Sequence, residues 1–163
     1  MKKSPTMLMK ELKFIKERIA ELHKADLQDS QEQVLNLTDE PSLLSGYSYE
    51  GNRQAIKELR EREETIHRAL SIFNLTTKVP GFDLTISEGL LRLGQLKSEI
   101  EVLSTLASRH QVHKDGSWYD EKHYTKCCYD VAKAKADLAA MREERTAIQV
   151  GIDRVNLTSD IDC

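Results

Sequence analysis

The sequence predicts an all-α fold: four long antiparallel helices forming two helical hairpins, packed as a bundle or coiled-coil-like body, with a long acidic loop after the first helix. Three observations carry this. Helix breakers are scarce, with 7 Gly and 3 Pro in 163 residues. Charged residues reach 31% while aromatics are 6%, a composition typical of long helices. Apolar residues return every three or four positions along most of the chain, the period of one helix face. At this length a single domain spanning residues 1–163 is expected.

The first helix is placed at 5–28. Ser4 is its cap and Pro5 fills the first helical position, where the missing N–H costs nothing. Leu8, Leu12, Ile15, Ile19 and Leu22 repeat at 4-3-4-3 spacing, a narrow seam suited to a partner helix. Residues 29–51 lose the pattern, punctuated by Pro41, Gly46 and Gly51. A loop of this length is a mobile connector or a functional segment, and Tyr47 and Tyr49 are its notable side chains. The second helix is placed at 52–74, with Ile56, Leu59, Glu63, Ile66, Leu70 and Phe73 on one face.

A third helix at 86–109 opens on Thr85-Ile86-Ser87-Glu88, a capping box in which Thr and Glu each satisfy a free N–H. Its apolar arc (Ile86, Leu90, Leu91, Leu93, Leu96, Ile100, Leu103, Leu106) is wider than the first seam, so it should be the most buried element. Gly89 and Gly94 each cost about 1 kcal/mol of helix propensity; close approach of a neighbouring helix would explain both. Residues 110–129 read as a turn region, with Lys114-Asp115-Gly116-Ser117 as the turn and Trp118 and Tyr119 after it. Residues 123–129 are open between an extended piece and an early helical turn. The last helix is placed at 130–156. Its seam is Val131, Ala134, Leu138, Met141, Arg145, Ile148, Ile152 and Val155, and Tyr124 and Cys127 extend the same phase backward.

Charge is unevenly distributed. Residues 1–24 hold seven Lys/Arg and three Glu, while residues 25–52 hold six acids and no Lys or Arg. Such runs are first of all solvated faces; head-to-tail contact between copies is the alternative. A net charge of −3 gives no basic footprint for nucleic acid. Lys10, Glu11 and Lys13 interrupt any signal-peptide core, and no stretch is long and apolar enough for a transmembrane helix. Three cysteines, Cys127, Cys128 and Cys163, make a poor disulfide framework. A cytoplasmic location is therefore expected. The Asn-Leu-Thr triplets at Asn36, Asn74 and Asn156 fit the glycosylation pattern, which needs export to matter.

Two segments resemble each other: IHRALSIFNLTT from Ile66 and IQVGIDRVNLTS from Ile148. Asn74, Thr76, Asn156 and Thr158 read as a repeated helix stop, Asn bending the chain and Thr tying backbone groups. The other reading is a shared polar site at two equivalent helix ends. The Asn-x-Thr turn, the Thr-x-x-Glu helix start and the terminal Ile-x-x-x-Asn-x-Thr tail resemble the septicolysin-like family of small bacterial helical proteins, a domain of unknown function. The likeness covers Asn74 to Leu96 and Ile152 to Ile161 best. The chain departs from the family pattern at Leu93-Gly94, where Arg-Asp is usual, and at Leu157, where Trp is usual. The resemblance implies an all-helical fold and no assigned activity.

Chemistry-bearing patterns are sparse. His110, His113, His123, Cys127 and Cys128 fall within 19 residues, and imidazole with thiolate suits zinc; the spacing is not diagnostic, and an in-phase Cys127 also serves as a small core residue. Glu64-Thr65-Ile66-His67 is a lone Glu-x-x-His, whereas a carboxylate-bridged di-metal site needs two. Glu63 and Arg145 interrupt apolar seams and either snorkel to water or pair with each other. No nucleophile elbow or glycine-rich phosphate loop occurs, so no catalytic residue is assigned. The expectation is a non-catalytic helical protein that self-associates as a homo-oligomer through its seams, acts by protein–protein interaction and holds no cofactor. The alternatives are a metal site in 110–128 and peripheral membrane association through the basic first helix.

Overall fold

A computed structural model describes residues 2–40, 46–115 and 123–162. The element order is β1 (Lys2–Lys3), α1 (Pro5–Gln28), α2 (Tyr49–Thr76), α3 (Ile86–Ala107), β2 (Val112–Asp115), β3 (His123–Lys126), α4 (Val131–Thr158) and β4 (Ile161–Asp162). The fold is mostly helical, as the sequence predicts. Contacts cluster into two compact units, residues 1–73 with 156–163, and residues 74–155.

In the first unit, α1 and α2 run antiparallel. Asp26 near the end of α1 meets Arg53 near the start of α2, and Glu11 near the start of α1 accepts from Arg62 Nε at 2.8 Å. Ser4 caps α1 through its Oγ, which accepts from the Met7 N–H. Leu8, Leu12, Ile15 and Ile19 are buried in one cluster with Ile66 and Ile161, flanked by Leu59, Ala69, Leu70 and Phe73; Leu22 is half-buried. Burying one such side chain contributes roughly 1.5–3 kcal/mol. The seam is thus covered by the chain's own residues. It is a core, and it is not open to a second copy as the sequence reading supposed. The short strand β1 pairs antiparallel with β4, and Thr6 Oγ1 donates to the Asn156 carbonyl at 3.0 Å.

In the second unit, α3 and α4 are also antiparallel. Arg92 grips Glu144 with two bonds, Nε to Oε1 at 2.7 Å and Nη2 to Oε2 at 3.0 Å. At the far end of α3, Tyr129 OH donates to the Leu106 carbonyl. The capping box at Thr85 and Glu88 is complete. Before it the chain doubles back: Lys78 bridges Thr85, and Gly81 takes φ +83°, a left-handed turn that favours glycine. This turn seats Val79, which is 1% exposed, against two helix glycines. A Cβ at Gly151 would lie 2.7 Å from Val79 Cγ1, and one at Gly89 3.2 Å from Val79 Cγ2 and 3.3 Å from Ile152 Cδ1. Gly89 therefore has the close neighbour that the sequence reading sought, whereas a Cβ at Gly94 would meet nothing within 4 Å.

Several boundaries are corrected. α2 begins at Tyr49 because Ser48 caps it, its Oγ accepting from the Gly51 N–H at 3.1 Å. Tyr49 and Gly51 therefore belong to the helix, and the loop is shorter. Asn74 and Asn156 do not bend the chain: α2 continues to Thr76 and α4 to Thr158. Helix α2 stops where Thr77 O is taken by Ile86 N–H at 2.9 Å, and α4 where the chain enters the β1–β4 pair. Residues 123–126 are strand, so Tyr124 and Cys127 do not extend the α4 seam.

Candidate interaction surface

Helix α3 departs most from the expectation placed on it. Its inner face is built by Ile86, Gly89, Leu96, Ile100 and Ala107, all buried. On the opposite side Leu91 is 66% exposed and Val102 62%. Leu91, Gln95, Ser98, Val102 and Thr105 follow at 4-3-4-3 spacing and therefore share one face. None carries a charge, and all are exposed. Leu90, 49% exposed, and Gly94 border this stripe. Of the eight residues of the apolar arc only Leu90 and Leu91 are exposed, and Val102 adds a third exposed apolar side chain beyond it. α4, with seven buried residues against five on α3, carries more of the unit's core.

Helix α1 repeats only the inner half of that arrangement. Its outer side carries Lys10, Lys13, Glu17 and Glu21, all exposed, with Met7 and Phe14 among them at 58% and 65% exposure. At its C-terminal end a polar cluster closes the long loop. Asp26 accepts from Tyr47 OH at 3.0 Å and from Asn52 Nδ2 at 3.1 Å, and pairs with Arg53. The Arg53 guanidinium lies 5.6 Å from the Tyr49 ring centroid, within cation–π range. Both tyrosines singled out from the sequence therefore belong to this clamp. Beyond it, Asn36 and Asp39 form a turn: the Asn36 N–H donates to Asp39 Oδ2 at 2.9 Å, and the Asp39 N–H to Asn36 O at 3.0 Å. Leu35 and Leu37 beside this turn are fully exposed.

The other candidate residues are placed as follows. Glu63 is 9% exposed and takes Arg60 Nη1 at 2.7 Å. Arg145, its suggested partner, is exposed in the other unit and lines a shallow hollow with Arg142, Thr146, Gln149 and Val150. The interhelical charge contact of α4 falls one residue earlier, at Glu144. Leu138, Ile148 and Ile152 are buried. In the hairpin β2–β3, His113 faces Thr125 and His123 faces Asp115. Cys127 Sγ donates to the His110 carbonyl at 3.2 Å, and Cys127 and Cys128 are free thiols. Among the described residues no three His, Cys, Asp or Glu side chains form a group able to hold a metal ion. Trp118, Tyr119 and the turn residues Gly116 and Ser117 lie outside the described residues, as does Cys163. Among the described residues no helix is long and apolar enough to cross a membrane.

Ion pairs shift several carboxylates. The Arg62 guanidinium, with Lys3 behind it, holds Glu11 below the usual carboxylate range. Arg92 does the same to Glu144.

No family model matches the chain, and no curated protein matches it. A crystal structure of a functionally unknown conserved protein from Corynebacterium diphtheriae is similar over 99% of this chain and all of its own, at a TM-score of 0.65 and 16% identity. That likeness concerns the fold.

Proposed function

We propose that this protein works by binding other proteins, first of all further copies of itself, and that α3 supplies the contact. The observation that carries this is the uncharged outer stripe of α3, with Leu91 and Val102 more than half exposed opposite a fully formed inner face. Leu91 and Val102 are apolar surface that the unit itself leaves uncovered, set among the uncharged Gln95, Ser98 and Thr105, and covering it favours association. Gly94 strengthens the reading. It costs about 1 kcal/mol relative to Ala within a helix and relieves no crowding inside the chain, while it lets another helix approach closely. The reading makes the protein a non-catalytic interaction module.

Light scattering in about 1 M salt, where contacts between exposed charges are screened, tests it. The native chain is expected to exceed one-chain mass and Leu91→Glu to fall to it. A native chain of one-chain mass at all concentrations would overturn the proposal.

A further inference from the structure

We propose a second contact between copies: the acidic loop of one chain docks on the outer face of α1 of the next. It rests on the self-association proposed above but on separate residues. The loop offers two fully exposed leucines, Leu35 and Leu37, in a stretch that carries acids at Asp29, Glu32, Asp39 and Glu40 and no base. The N-terminal half of α1 offers the complement. Met7, Lys10 and Phe14 lie at i, i+3 and i+7, on one exposed side, with Lys13 beside them. Leucine side chains would pack on Met7 and Phe14 while the carboxylates face Lys10 and Lys13. Opposite charge steers such encounters and fixes their register.

The exposures decide which copy is the partner. Leu35 and Leu37 are fully exposed, and Met7 and Phe14 are 58% and 65% exposed, so the chain's own loop does not cover its own α1. The Asp26 clamp ties the far end of the loop beside the end of α1 through Tyr47. A second copy therefore supplies the helix. The clamp and the Asn36–Asp39 turn also limit the loop's freedom before binding, which lowers the ordering cost. Loop and helix are different surfaces, so the contact is heterologous: each chain keeps one free loop and one free helix for the next.

The test uses the Leu91→Glu chain, which removes the α3 contact, at about 50 mM salt. This chain is expected to exceed one-chain mass there and to return to it in about 1 M salt, since screening weakens contacts between exposed charges. Adding Glu32→Lys with Glu40→Lys, or Lys10→Glu with Lys13→Glu, should each give one-chain mass. In an equimolar mixture of these two variants the intact loop of one meets the intact helix of the other, and the charge-reversed loop meets the charge-reversed helix, so the mixture should again exceed one-chain mass. Thermal unfolding of each variant alone checks that it is folded. Failure of the mixture to associate, association undiminished in either variant, or binding of the unassociated chain to anionic vesicles through Lys10 and Lys13 would overturn the proposal. Such a failure leaves the α3 proposal standing, because that one is read in high salt on the native chain.

Discussion

Helices α1 and α3 are similar in length and each packs against one antiparallel partner, yet their outer faces differ. On α1 the apolar seam is four buried residues wide in sequence terms, and the opposite side is mostly Lys and Glu. On α3 the opposite side is uncharged from Leu91 to Thr105. One buried stripe suffices to fix a helix in a two-helix hairpin. The second stripe on α3 adds nothing to its unit's core, and the proposed self-association rests on it.

The largest effect is expected in the α1 core. Leu8 is fully buried, and Leu8→Ala should destabilise the chain by about 2–5 kcal/mol in urea unfolding, the range for core truncation. A loss under about 1 kcal/mol would show that the α1 seam is not a core. Gly151→Ala comes next. The new methyl would collide with Val79 at 2.7 Å, and overpacking of this kind costs roughly 1–3 kcal/mol; a neutral result would mean that Val79 is loosely seated.

Gly94→Ala should act in the opposite direction. Open space surrounds that position, so helix propensity alone predicts a gain of up to about 1 kcal/mol for the single chain. In light scattering the same variant should associate more weakly if a second helix approaches there. Leu91→Ala should change the stability of the unassociated chain by no more than about 0.5 kcal/mol, as expected for an exposed position. A core-sized loss at Leu91 would erase the distinction between the two faces.

Acid should weaken both hairpins. Glu11 and Glu144 have lowered pKa values in the folded chain. The stability they contribute is therefore complete above the ordinary carboxylate pKa and is lost as pH falls through their lowered values. Urea midpoints measured from pH 7 downward should decline below about pH 4.5, near the unperturbed Glu value, and less so in Glu11→Gln. Equal declines in both chains would remove Glu11 from the account.

Much of the fold was legible because helix faces are written as spacing. Pro5 and Gln28 bound α1 as the cap and seam implied, and the Thr85 capping box marked the start of α3 correctly. The Asn-Leu-Thr triplets do mark the two helix ends, which fall on their threonines, Thr76 and Thr158, but tertiary bonds set the stop two residues past Asn. Here those bonds come from Ile86 and from the β1–β4 pair, which periodicity does not record. Arg145 was in phase with its seam, but the bond to α3 comes from Glu144. That choice depends on where Arg92 stands on the facing helix. The wide arc of α3 was visible, with Val102 lying outside it. Which of its residues would be covered was not, since the answer lies in how far α4 and the Val79 turn extend over it. Ser48, three residues ahead of Gly51, was the available signal for the start of α2.

The proposed self-association rests on the outer face of α3. Its most direct test is the urea midpoint as a function of protein concentration in about 1 M salt, because association of folded chains raises the midpoint by mass action. The native chain should show a midpoint that climbs with concentration, and Leu91→Glu one that stays level. A level midpoint in the native chain, or an equal climb in both, would contradict the account.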